Sequence, residues 1–537
     1  MKKKHRKDTP RSKKGSGIKE RDRFSGIKQF IELCSPYFPW VVAALYFIYM
    51  GYLTLRYHNV AGFGVETDFM VELVPQAKKL LAGQFSPANY GPKGPVYSFL
   101  LAIMYLIVRD YFYAGLVLNI FSASIFLVIL YFLIKKVFTI TTARIVVIAV
   151  AFNYVFQHYT YNAGSDLPFM MICAFSMYFL FRSNRRRDLI LSAIFGSMAF
   201  LTRYNGAFIA MGAVPYLALF GESAHKRMKR IGLWIGVFIL VGLPWFASNW
   251  KVMGSPIYND NYVNVMMEFY GLEKEGATYE NWRDKLPRDF TGLGDIIMYD
   301  PVYFVKRAGQ NVITHFTADI KNLLGWRLGI FVVLGLVLFW FTPDKGGKLM
   351  FFLFGLFYFL ILTLVFYNER FSLFLLVFYT SFAAYSLTVQ TVYVRLRRFS
   401  RIPAVILILV ILSYIFTTPP VILAELKNTP PYFKDLQEIG LVLGRVEPDK
   451  SKKIIARKPN VAYYAGLDAL MFPEHVRRVG ELVDFCREQN VDYILYSGIE
   501  RSLRPHVQDL SKIDQKIPGL EIVFHNRFGI VYRVLEQ

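Results

Sequence analysis

Cysteine is scarce in this 537-residue chain: Cys34, Cys173 and Cys486 stand far apart and in different contexts. That spacing excludes a disulfide framework and every thiolate metal motif, and Cys486 reads as an ordinary packed thiol. Acids are few as well. Asp and Glu number 39 against 62 Lys and Arg, and charged residues make up only 19% of the chain. No credible Walker or Rossmann motif is present, so no nucleotide-binding fold is indicated. No solenoid or propeller repeat is visible. No cleaved secretory signal is expected: the N-terminal stretch is too long and too basic, and no small-residue cleavage site follows the first apolar run.

What the chain has in abundance is apolar surface. Hydrophobic residues make up 54% and aromatics 17%, and mean hydropathy is positive. Apolar stretches of about 16–20 residues recur from Tyr37 to Phe416, which a large soluble helical protein would not need. The formal charge of +23 invites a nucleic-acid partner, but its distribution argues against one outside the tail. Twelve Lys and Arg lie in the first 28 residues, and most others crowd into every second loop. These loops hold Lys135, Lys136 and Arg144, then Arg182-Ser-Asn-Arg-Arg-Arg187, His225-Lys-Arg-Met-Lys-Arg230, Lys345-Gly-Gly-Lys348 and Arg395-Leu-Arg-Arg-Phe-Ser-Arg401. Cytoplasmic loops retain Lys and Arg, so the alternation predicts orientation as well as insertion. Such residues also attract anionic lipid headgroups.

The predicted fold class is a polytopic α-helical membrane protein of about eleven transmembrane helices with a small C-terminal α/β domain on the extracytoplasmic side. Residues 1–36 form a basic cytoplasmic tail, 37–420 the transmembrane domain, and 421–537 the soluble domain. Spans are expected near 37–56, 114–134, 143–158, 167–182, 188–202, 206–220, 231–249, 327–342, 349–366, 371–391 and 402–418. The apolar stretch Pro95–Val108 is too short to cross and is placed in the first outer loop, 58–113, as a re-entrant or interfacial helix. A second outer loop, 251–326, is rich in Tyr, Trp and Asn and reads as amphipathic helices on the bilayer surface. After Thr417-Thr-Pro-Pro420, strands are expected at Lys453–Arg457 and Asp492–Tyr496, helices at Pro459–Ala465 and Gly480–Gln489, and a closing hairpin at Glu521–His525 and Gly529–Val534.

Ionisable residues against the bilayer are costly, and each needs a reason. Asp68, in Val65-Glu-Thr-Asp-Phe69, is either a solvated loop carboxylate or a general base held above the membrane. Glu66 is an auxiliary acid for the same role or for a metal. Lys93, in Asn89-Tyr-Gly-Pro-Lys-Gly-Pro-Val96, is either a snorkelling interface lysine or a point charge for a lipid-linked phosphate. Asp166, in Tyr161-Asn-Ala-Gly-Ser-Asp-Leu-Pro168, suits a helix N-cap or an active site. Arg203, in Leu201-Thr-Arg-Tyr-Asn-Gly206, has no carboxylate in its own segment. Arg370, in Tyr367-Asn-Glu-Arg-Phe371, either pairs with Glu369 or contacts phosphate. Asp68, Glu66, Asp166 and His158 lack diagnostic metal spacing, so a divalent metal stays open.

This ordered series resembles the integral-membrane GT-C glycosyltransferases, in particular bacterial relatives of the protein O-mannosyltransferases and of the lipid A aminoarabinose transferase. Trp250-Lys-Val-Met-Gly-Ser-Pro256 is similar to the segment that follows a span in that family. The resemblance covers most of 37–420. It departs where relatives carry an Asp-Glu pair and Lys-Pro-Pro; here the motifs are Thr67-Asp68-Phe69 and Lys93-Gly94-Pro95. The resemblance implies a polyprenyl-phosphate-linked sugar as donor and a glycolipid, lipopolysaccharide or protein acceptor, at the outer face of a bacterial-type cytoplasmic membrane. By motif, Asp68 is then the catalytic carboxylate, Asp166 the second acid and Lys93 a phosphate ligand. Chemical sense adds Arg203 and Arg370 as further cations for the leaving phosphate. A transporter or flippase of lipid-linked sugars is the alternative, though the paired broken helices of such proteins are not evident. A polysaccharide polymerase or ligase of another membrane fold, and a purely structural anchor, are further readings.

Overall fold

The computed structural model describes residues 36–60, 64–220, 223–271, 290–342, 345–389, 401–428, 430–473 and 476–536. Most of the expected basic tail with Cys34, the basic stretch 395–400 and part of the second outer loop fall outside them.

Each of the eleven expected spans coincides with helix, but their lengths differ widely. Phe38–Tyr57, Tyr111–Val137, Ala224–Met253, Glu369–Thr388 and Ile408–Lys427 are long and apolar enough to cross a bilayer alone. The expected span 143–158 is broken into Ile140–Ala151 and Tyr154–Thr160, bent by 61°. Asn153 causes the break: its side chain caps the second helix at Phe156 N and also donates to the Leu323 carbonyl, 2.7 Å away. Helices Asp166–Arg182 and Arg186–Thr202 carry buried Ser176 and Ser192, which bond each other across the pair. Among the described residues five helices, or six with the bent pair counted as one span, are long and apolar enough to cross, so helix length does not reach the expected count of eleven crossings.

Lipid-facing and buried faces separate cleanly on the outermost helices. Leu45, Ile48 and Tyr52 of Phe38–Tyr57 are exposed, while Tyr46, Met50 and Leu53 are buried. The amphipathic helix expected in the second outer loop is present as Pro301–Ala318. It exposes Val302, Val305 and Ile313 and buries Phe304, Asn311 and His315.

Two features were not expected from the sequence. The first loop contains a helical run, 64–81, interrupted by a π-turn at Phe69–Leu73. Pro75 follows directly; it has no N–H to donate to residue 71, and the π-turn accommodates that gap. The last membrane helix, Arg401–Lys427, runs on through Pro419 and Pro420 rather than ending there.

The C-terminal domain begins with helix Pro431–Val446 and holds a five-stranded sheet ordered β2-β1-β3-β5-β4. Its strands are β1 Lys453–Ile455, β2 Asp468–Leu470, β3 Tyr493–Ser497, β4 Leu520–His525 and β5 Gly529–Val534. β1, β2 and β3 are parallel, and β4–β5 is the expected antiparallel hairpin. Side chains alternate between two cores. Ile454, Tyr493 and Leu495 pack against helices Pro431–Val446 and Asn460–Ala465. Ile455, Ile494 and Tyr496 pack against Val479–Glu488, where Cys486 is an ordinary buried thiol.

Candidate active site

Four of the six residues singled out in the sequence meet at one place. Asp166 is the first residue of its helix, and Ser165, not Asp166, occupies the N-cap position. The capping expectation is thereby corrected, because two arginines draw the Asp166 carboxylate away from the helix end. Arg203 Nη1 donates to Asp166 Oδ1 and Arg370 Nε donates to Oδ2 at 2.9 Å. Arg370 then reaches further, its Nη1 donating to Asp68 Oδ2 at 3.1 Å. Arg370 is therefore a bridge between two carboxylates that lie 98 positions apart in the chain. Its sequence neighbour Glu369 is not its partner. Asp166 is buried, but the Asp68 side chain is 44% exposed and forms the rim of the cluster.

The local fold explains these placements. Arg203 is the residue at which helix Arg186–Thr202 ends and a 3-10 turn, Tyr204–Gly206, begins. Its guanidinium lies 5.6 Å from the Phe371 ring centroid, a cation–π contact that holds the fork facing Asp166. Arg370 sits in a short turn capped by Asn368, whose side chain accepts from Arg370 N.

Lys93 is buried and is held by Glu72, Nζ to Oε2 2.7 Å. Gly94 explains the missing proline of the turn. A Cβ there would meet the Leu201 carbonyl oxygen at 2.2 Å, so only glycine lets this turn press against the last turn of helix Arg186–Thr202, just before Arg203. Glu66 lies apart from the aspartates and is fully buried. One of its oxygens accepts from Ala163 N at 3.1 Å and meets His58 Nε2 at 2.7 Å. His58 in turn stacks on Phe112. His158, open as a metal ligand in the sequence, pairs with Glu425 at 3.0 Å.

Two buried polar atoms without a partner belong to the cluster or to its chain neighbours: Arg370 Nη2, and Ser165 Oγ just before Asp166. Native interiors rarely leave such atoms unsatisfied, so a polar ligand or water would find donors here. A metal fits poorly. Asp68 and Asp166 are joined through Arg370, and a guanidinium already neutralises the oxygens that a cation would need. Among the described residues no three of His, Cys, Asp and Glu converge on a common point.

Sequence reasoning missed Glu72, though it stands four positions after Asp68, the spacing of one helix face. Its position in the expected first outer loop, 58–113, gives no helical signal. Sequence reasoning also missed Lys458 of the C-terminal domain, whose Nζ lies 3.5 Å from Thr67 Oγ1.

Residues 92–250 match the model of a family described as dolichyl-phosphate-mannose-protein mannosyltransferase. That stretch includes Lys93, Asp166 and Arg203. No curated protein sequence matches the chain. Among solved structures, ArnT from Cupriavidus metallidurans in the apo state aligns over 95% of this chain and 98% of its own, with a TM-score of 0.56 at 11% identity. This chain has the GT-C fold. The same ArnT bound to undecaprenyl phosphate aligns over 95% and 98%, with a TM-score of 0.55 at 10% identity. The oligosaccharyltransferase AglB from Archaeoglobus fulgidus, in complex with an inhibitory peptide and a dolichol-phosphate, aligns over 87% of this chain and 70% of its own. Its TM-score is 0.53 at 12% identity. The resemblance read from the motifs is therefore borne out in the fold.

Proposed function

We propose that the protein is a membrane glycosyltransferase that moves a sugar from a polyprenyl-phosphate donor to an acceptor at the outer face of the cytoplasmic membrane. The observation that carries this reading is Arg370. Its side chain is only 10% exposed, it joins Asp166 to the half-exposed Asp68, and it keeps one buried N–H nitrogen without a partner. A buried guanidinium with a free donor beside a solvent-reaching carboxylate matches the need of phosphate departure coupled to hydroxyl attack.

In the proposed reaction the lipid tail confines the donor to the bilayer, so the reacting carbon stays at the level of the site. Asp68 takes the proton of the acceptor hydroxyl or amine as that atom attacks the anomeric carbon. The bond from anomeric carbon to phosphate oxygen breaks, and the electron pair leaves on the phosphate. Arg203, Arg370 and Lys93 face the charge that grows there, and Asp166 holds the two arginine forks in place. One base and one displacement invert the anomeric configuration. The acceptor class, glycolipid, lipopolysaccharide or protein, follows from which molecule reaches Asp68.

The test is transfer of label from a purified polyprenyl-phosphate sugar in proteoliposomes, with mass analysis of candidate acceptors from cells with and without the protein. Covalent transfer supports the enzyme. Movement of intact donor across the bilayer with no transfer makes the protein a flippase instead.

A further inference from the structure

The C-terminal domain places a cation against Thr67, the residue before the candidate base. The parallel strands β1 and β3 are neighbours, yet the helices that follow β1 and precede β3 pack on opposite faces of the sheet. Between such strands the carboxyl ends open into a crevice, the usual ligand position in open α/β sheets. Here the crevice rim is formed by Ala456-Arg457-Lys458 after β1 and by Ser497-Gly498 at the end of β3. Buried Glu500 ties the two together: it accepts from Arg457 N at 2.6 Å and from Ser497 N at 2.9 Å.

That rim faces the membrane domain. On one side Tyr463 Oη donates to Asp110 Oδ2 at 3.0 Å and its ring lies against Phe112. On the other, Lys78 pairs with Asp468 at 2.5 Å. Held between these contacts, Lys458 points at Thr67, next to Asp68. No carboxylate lies within 4.0 Å of its ammonium among the described residues. Burial and the neighbouring Arg457 hold it below the usual lysine range, while Asp68, Glu500 and Glu66 pull it upward. A half-buried ammonium at such a position is costly unless its charge is used.

We infer that Lys458 is a positioning residue of the active site, an ammonium supplied by the C-terminal domain that holds Thr67, and with it Asp68, in place at the end of helix Gly64–Asp68. The inference rests on the proposed role of Asp68. It gives the C-terminal domain a part in the reaction, since transfer then requires that domain to be seated on helical run 64–81.

Two measurements on the full-length protein test it. In steady-state transfer, Lys458→Met lowers kcat at least about tenfold while donor KM stays within about threefold, and Lys458→Arg recovers most of the loss. The second measurement needs no turnover. Amide hydrogen exchange reports how firmly the backbone around Thr67 and Asp68 is held. Peptide mass spectrometry should then find the peptide that carries residues 64–68 exchanging at least about threefold faster in Lys458→Met and near the original rate in Lys458→Arg. An unchanged thermal midpoint in both variants separates positioning from simple destabilisation. Equal exchange rates in Lys458→Met and the unaltered protein overturn the inference, even where transfer is normal. Absence of transfer in the unaltered protein sinks the glycosyltransferase reading, while the exchange comparison still decides the place of Lys458.

Discussion

At the scale of single residues, the two aspartates of the cluster are set apart by burial. Asp68 is half exposed and gives one oxygen to Arg370, whereas buried Asp166 neutralises Arg203 and Arg370 together. Asp68→Asn should therefore leave insertion and thermal midpoint nearly intact and cut transfer by about two orders of magnitude or more, the contribution of a positioned base. Asp166→Asn should cost stability as well, on the order of 3–5 kcal/mol, because two buried guanidinium groups lose their shared counter-ion. Denaturation of both variants in the same detergent checks the contrast; equal loss of stability would refute the division of roles. Arg370→Lys should fail at transfer despite keeping the charge, since one ammonium cannot reproduce a planar fork spanning two carboxylates. Near-normal turnover in that variant would remove Arg370 from the phosphate site. Asp68, Asp166, Arg203 and Arg370 were legible in the sequence because a lone charge amid apolar residues demands an explanation. Glu72 and Lys458 were not: the first lay in a stretch without helical signal, and the second meets Thr67 across 391 positions.

At the scale of elements, most helices and strands follow from hydropathy, while the irregular ones follow from contacts that no local pattern encodes. The π-turn beside Asp68 and the break at Asn153 are of the second kind, one set by Pro75 and the other by a hydrogen bond to residue 323. The arm 301–323 adds a testable case. Its helix buries His315 and the π-turn after it buries Asp319, which accepts from Tyr379 Oη at 2.9 Å. Burial raises the Asp319 carboxyl to about 7 against its bonds from Ser372, Tyr379 and Tyr367. Burial, aided by Arg307, lowers His315 to about 4. The signs of the two contributions oppose each other. Folded Asp319 keeps its proton where the unfolded chain has lost it, so its contribution to stability declines as pH rises from about 4 to about 7. Folded His315 stays neutral where the unfolded chain is protonated, so its contribution declines as pH falls from about 6.5 to about 4. Asp319→Asn should thus gain thermal midpoint over the unaltered protein progressively toward neutral pH, and His315→Gln should gain it progressively toward acid. Parallel midpoint curves for all three proteins between pH 4 and 8 would show that neither group titrates on unfolding.

At the scale of the whole molecule, the fold places the C-terminal domain and the first loop on one side of the bundle. Lys78–Asp468, Tyr463–Asp110 and Lys458–Thr67 join them directly, so the candidate site and the soluble domain share a compartment whatever the orientation. Which compartment is a matter of charge. The loops that hold Arg182, Arg185, Arg186 and Arg187, and those with Lys226, Arg227, Lys229 and Arg230, carry the basic excess that resists translocation. In the proposed orientation the first loop and the end of helix Ala224–Met253 lie outside. Labelling tests this in a background with Cys34, Cys173 and Cys486 replaced by alanine. Ala82 is preferred to Gly83 as the first-loop position, because the Gly83 backbone has a φ of 72° that side chains resist. In intact cells, Ala82→Cys and Lys251→Cys should react with a membrane-impermeant maleimide, and Asn184→Cys should react only after permeabilisation. Asn184 is exposed and accepts one bond from Arg230, 3.0 Å away, so its replacement disturbs little. Labelling of Asn184→Cys from outside, with Ala82→Cys protected, would invert the protein and move Asp68 to the cytoplasmic face. A donor presented on the outer leaflet would then be out of reach, and a cytoplasmic acceptor would have to be sought.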